Sequence, residues 1–124
     1  HDLDKLFFLI NSCLKRSGRV IVSVPNIKAP EMIFFKEFWV ALDSPRHLNH
    51  FSSESLGKIF KDKGYIVENK KRMLHDTAFN ILMSIKEKPV FIAFFPFILL
   101  YSLITVIIGG PDRSSSLMFV FKKK

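Results

Sequence analysis

The chain has 124 residues, enough for one domain or part of one, and 48 % of them are hydrophobic, including 14 Phe; that composition excludes disorder. Lys and Arg outnumber Asp and Glu by 19 to 11, a net charge of +8. The cations are scattered (Lys15, Arg16, Lys58, Lys70, Lys86, Lys122) and carry no RNA-binding signature with interleaved aromatics, which argues against a nucleic-acid partner.

Leu3, Leu6, Phe7, Ile10 and Leu14 follow helical spacing, with Asp2 as the expected N-cap and Gly18 as the residue beyond the helix end. Cys13, the single cysteine, excludes an internal disulfide and a thiolate metal cluster, and its place beside the apolar stripe predicts a packed core thiol. The β-branched run 20–24, stopped by Pro25, predicts a strand buried on both faces. Helix, glycine turn and buried strand together read as half of a parallel α/β crossover.

Residues 27–51 read as an irregular, aromatic-rich segment punctuated by Pro30 and Pro45. Ser52 is the expected cap of the next helix, with Phe51 stapled to Leu56, a buried face of Leu56, Ile59 and Phe60, and Gly64 at the end. A strand is predicted over 65–70, with Ile66 on one face and Tyr65 and Val67 on the other. Leu74, Ala78, Ile81, Leu82 and Ile85 predict an amphipathic helix, and a terminal strand is expected in SLMFVFKKK.

Between these last two elements, residues 89–111 carry no charge. About twenty apolar residues can span a bilayer, but topology argues against a simple crossing: strands on either side would be left on opposite sides of the membrane. Lys86, Lys88 and Arg113 flank both ends, so the positive-inside rule gives no orientation, and Pro96 should break or kink the helix. Three arrangements are open: a broken helix covering the sheet, a homo-oligomer interface, or a monotopic element on a membrane surface.

The polar stretch ALDSPRHLNHF, residues 41–51, holds the candidate chemistry. His47 and His50 are spaced i, i+3, yet with Asp43 they fall short of a zinc set, so no metal is assigned. Either histidine is a candidate catalytic acid or base. Arg46 can bind a carboxylate or phosphate, or brace the loop through Asp43, and Trp39 is a core aromatic or a substrate-facing one. The five glycines form neither G-x-G-x-x-G nor a P-loop.

Taken together, LKRSGRVIVSVPN, WVALDSPRHLNHFS, ESLGKIFKDKGYIVE and SLMFVFKKK resemble the C-terminal half of class I S-adenosylmethionine-dependent methyltransferases. The similar group is the ubiquinone-biosynthesis-like, type 11/12/23 enzymes, and the likeness covers residues 1–72 and 116–124. It implies an α/β, Rossmann-like sheet of order 3-2-1-4-5-7-6 with strand 7 antiparallel. Residues 20–24 would be strand 5, residues 65–70 strand 6 and residues 117–121 strand 7. The chain would be a single partial domain, 1–124, with a substrate-side loop at 27–51 and a helical, strongly apolar insert at 74–111. His1 would match the histidine beside the cofactor pocket, and Trp39, Arg46, His47 and His50 would overhang the substrate side, beyond the carboxyl ends of the parallel strands.

The implied function is methyl transfer from S-adenosylmethionine to a small-molecule or lipid-like acceptor, in the cytoplasm or peripheral to the inner face of the membrane. The glycine-rich cofactor loop and the acidic ribose-binding residue of that family are absent. The internal start at His1 therefore reads as that of a fragment, inactive by itself. The alternative is a non-catalytic membrane-surface or protein-interaction module that uses 89–111.

Overall fold

A computed structural model of the chain describes residues 2–42 and 50–124. Its centre is a three-stranded sheet of β1 (Arg19–Pro25), β2 (Tyr65–Lys71) and β3 (Ser116–Lys123) in the order β1-β3-β2. The last strand in sequence is thus the middle strand in space. It runs antiparallel to both neighbours, pairing Ile21 with Val120 on one side and Tyr65 with Lys123 on the other. β1 and β2 consequently run in the same direction, and neither ladder is parallel.

Position in the sheet explains the sequence of each strand. Leu117, Phe119 and Phe121 are buried on one face of β3 and Val120 is buried on the other, so the middle strand is apolar throughout its centre. β1 differs from the expectation of burial on both faces. Val20, Val22 and Val24 are half-buried, whereas Ile21 is 67 % exposed on the opposite face. No helix layer of the described residues covers that opposite face of β1. In β2 an irregularity between Val67 and Asn69 shifts the register at Glu68, whose carboxylate accepts from Arg19 across the sheet.

Two helices, α1 (Leu3–Cys13) and α3 (Ser53–Asp62), cover the face carrying Phe119 and Phe121. Phe60 stacks on Phe121 with ring centroids 3.9 Å apart, and Phe7 meets Phe60 edge-on at 4.9 Å. Tyr65 completes this aromatic cluster and donates its hydroxyl to Asn11 Oδ1 at 2.9 Å. Ser52 caps α3 as expected, accepting from the Ser55 amide, while Ser55 Oγ accepts from the Ser52 amide in return. Gly64, at φ +84°, ends α3 in the conformation that a glycine adopts without strain.

α1 departs from its predicted ends and packing. Asp2 makes no side-chain cap, and Gly18 lies in a separate turn closed onto the Lys15 carbonyl. Only Phe7 of the stripe is fully buried, so the contact is narrow and Cys13, on its flank, is exposed rather than a core thiol.

The remaining elements form a second apolar cluster. The segment 27–42 is partly helical, with α2 (Met32–Phe35) followed by single 3-10 turns at Lys36–Phe38 and Val40–Leu42. It packs against α4 (Leu74–Glu87), a 3-10 stretch (Pro89–Phe94) and α5 (Phe95–Gly109) around Phe35, Trp39, Ile81, Ile85 and Ile98. Pro96 sits in the first turn of α5, where its missing N–H costs nothing, and so marks the predicted break. The apolar insert contributes no residue to the sheet's own cluster.

Truncation of Phe121 to Ala is expected to lower stability by about 3–5 kcal/mol, because it empties the middle of the aromatic stack. Ser52→Ala removes one capped amide and should cost about 1 kcal/mol. Urea denaturation of the two variants measures both.

Candidate functional site

The chain leaves the sheet at Pro25, and the next residue organises the turns around it. Asn26 is fully buried. Its Nδ2 donates to the carbonyls of Asp112 at 2.9 Å and Ser114 at 2.8 Å, and its Oδ1 accepts from the Lys28 amide at 3.0 Å. Its own amide donates to the Ser115 carbonyl. One asparagine therefore ties the carboxyl end of β1 to the turn that precedes β3.

Five residues on, Glu31 is also fully buried. One carboxylate oxygen accepts from the Ser115 hydroxyl, and the other has no hydrogen-bond partner. Burial pushes its pKa from the ordinary 4.5 to about 7, and the nearby carboxylate of Asp76 adds to the rise. The indole N–H of Trp39 offsets part of this from outside hydrogen-bonding geometry. Trp39 reaches this position after Lys36, which holds φ at +49°, a strained value for a lysine, and redirects the chain between α2 and the following turn.

α4 supplies the opposite wall, with a face that matches only in part the one its apolar residues predict: Ile81 and Ile85 are buried as expected. Leu74 and Leu82 are exposed, while Thr77, Asn80, Ile81, Ser84 and Ile85 are buried. The spacing is still helical, but the buried stripe is half polar because it meets backbone donors. Ser84 Oγ accepts from the Val40 amide at 2.9 Å and donates to the Asn80 carbonyl at 2.7 Å. Thr77 Oγ1 accepts from the Ser115 amide at 3.3 Å. In the first turn of α4, one oxygen of Asp76 is buried without a partner.

Three elements thus bring unpartnered, buried polar atoms into one neighbourhood: Glu31 Oε2, Asp76 Oδ2 and Trp39 Nε1. A buried polar group without a partner is costly and uncommon. Two acceptors and one donor can hold a hydroxyl or amine group, and a carboxyl that titrates near neutrality can take up its proton.

Of the residues singled out from sequence, Trp39 is part of this site, 1 % exposed. His50 is exposed, with Nε2 at 3.4 Å from the Leu42 carbonyl. His1, Arg46 and His47, with the Asp43 expected to brace Arg46, lie outside the described residues. No group of three His, Cys, Asp or Glu side chains that could hold a metal ion occurs among the described residues. Sequence reasoning missed Asn26, Glu31 and Asp76. The sole signal for Glu31 was a lone acid between Ala29-Pro30 and the apolar run Met32–Phe35.

A second polar region adjoins the first through Asp112. Lys70 Nζ donates to Asp112 Oδ1 at 2.8 Å and to Ser53 Oγ at 2.9 Å, and Lys28 Nζ pairs with Glu54 at 2.8 Å. The Lys70 ammonium also lies 5.0 Å from the centre of the Phe119 ring. These groups satisfy one another, and the cleft of about 470 Å³ that they line carries mixed charge. No family model matches the chain, and no curated protein matches it.

Because the folded-state pKa of Glu31 is raised, the native state binds the extra proton. Stability attributable to this group is therefore greatest at low pH and declines as pH rises from about 4.5 through about 7. Glu31→Gln should accordingly stabilise the fold by about 3 kcal/mol at pH above about 8 and change it little near pH 4. Thermal unfolding of both proteins across that range is the check.

Proposed function

We propose that this chain is the acceptor-side, C-terminal part of a class I methyltransferase. The observation that carries the reading is the sheet: β1-β3-β2, with the middle strand antiparallel to both neighbours, is the arrangement implied for strands 5, 7 and 6 of that family. The polar site supports it by position, since it gathers beyond the carboxyl end of β1, where α/β sheets bind their ligands. On this reading Glu31 accepts the proton of an O–H or N–H acceptor, and Asp76 and Trp39 orient that group. Holding the acceptor in line is the larger part of catalysis in such transfers.

Among the described residues nothing forms a cradle for S-adenosylmethionine. The turn after β1 has no glycine, and its amides are already engaged: Asn26 N with Ser115 O, Ile27 N with Phe51 O, Lys28 N with Asn26 Oδ1. No step is therefore assigned to the cofactor, and on this reading its binding loop belongs to residues outside His1–Lys124. A different observation favours the non-catalytic module, namely that only Ile98, Ser102 and Val106 of Pro89–Gly109 are buried.

Cofactor titration separates the two readings. Calorimetry on the complete gene product should show S-adenosylmethionine binding that Glu31→Gln leaves intact, while methyl transfer to an extracted acceptor pool falls by about a hundredfold or more. A complete gene product that binds no S-adenosylmethionine would sink the enzyme reading.

A further inference from the structure

The largest feature that the polar site leaves unused is the outer face of the apolar insert. Its 21 residues, Pro89–Gly109, are uncharged, and only Ile98, Ser102 and Val106 among them are buried. Phe94, Phe97, Leu100, Ile104, Ile107 and Ile108 are all exposed, Phe97 at 73 % and Ile108 at 81 %. Exposed apolar surface of this extent marks an interaction site.

Three observations identify the occupant. First, burial of α5 is one-sided: Ile98, Ser102 and Val106, spaced by four, face the protein, and Ile98 packs with Ile81 and Ile85 of α4. A helix held along one side by α4, whose buried stripe contains Thr77, Asn80 and Ser84, is not free to be ringed by lipid. It can lie in the plane of an interface with the other side immersed. Second, the ammonium of Lys88 lies 4.7 Å from the centre of the Phe38 ring and 5.5 Å from that of Phe91. Its charge thus rests over aromatic rings at the start of the apolar stretch, the place a lysine takes at headgroup level. Third, the whole chain carries +8. That charge repels a second copy and attracts an anionic leaflet. Glu87, exposed beside Lys86 and Lys88, is the one acid in that short flank.

From these we infer that the outer face of Pro89–Gly109 docks on an anionic lipid bilayer as a one-sided, in-plane element, with Lys88 at the headgroup boundary. Beside this face Phe34, Phe91, Phe94, Phe97, Ile98 and Tyr101 line an apolar hollow of about 430 Å³, which the bilayer surface would close. The inference is independent of methyl transfer, and its test reads only partition.

The full chain is floated with vesicles of phosphatidylcholine alone and of phosphatidylcholine mixed with phosphatidylglycerol, at low and high salt. Flotation with the anionic vesicles, weakened by salt, is expected. Phe97→Glu and Ile108→Glu should each reduce partition by about tenfold or more, with an unchanged melting temperature because both side chains are already exposed. Unchanged partition of the Phe97→Glu, Ile108→Glu double variant overturns the inference. So does a stable dimer in sedimentation velocity that this double variant dissociates, since a second copy would then cover the face. Alkali-resistant insertion with protease protection of opposite ends on opposite sides of the bilayer overturns it in favour of a span.

Discussion

The fold depends on β3 occupying the middle of the sheet. β1 and β2 do not touch as strands. Each is held by its ladder to β3, and the aromatic stack of Phe119 and Phe121 on Phe60 locks that strand beneath α1 and α3. Pairing of this kind closes long loops, the most distant joining Arg19 to Lys122, and such closure costs conformational entropy that local contacts cannot offset. The apolar character of β3 on both faces is what makes the closure favourable.

The same closure creates the polar site. For β3 to enter the middle of the sheet, the preceding turn must pass under the carboxyl end of β1, and its backbone groups need partners there. Asn26 satisfies two carbonyls, while Ser114 and Ser115 engage Met73, Glu31 and Thr77. This seam joins an aromatic cluster on the sheet to a second one built from 29–42, α4 and α5. The seam is not wholly satisfied: one carboxylate oxygen each of Glu31 and Asp76 and the Trp39 indole N–H are buried without a partner, and such groups are costly.

The apolar insert stands apart from both. It meets the protein with a stripe of three buried residues, of which Ile98 joins the second cluster, and leaves most of its remaining surface outward. A helix apolar on all sides has no preferred face by itself. Its neighbours decide which side turns inward, and here α4 leaves most of the surface uncovered.

Strand and helix positions were legible in the sequence because short periodic signals report local physics. The run 20–24 stopped by Pro25, the Ser52 cap with Phe51 and Leu56, and Gly64 each specify a boundary through the chain's own dihedrals and hydrogen bonds. Cys13, the exposed side of β1 and the polar stripe of α4 were misread because burial depends on what packs opposite, which periodicity does not encode. Trp39 was recognisable as an aromatic with two roles, and the sequence could not choose between them. Glu31 and Asp76 are forty-five positions apart by numbering and meet only because β3 draws the turn before it, and α4 with it, against the end of β1. Local chemistry therefore determined the elements, while the approach of Asp76 to the buried Glu31 and the outward apolar face were decided by tertiary packing, which alone sets what each side chain is shielded from.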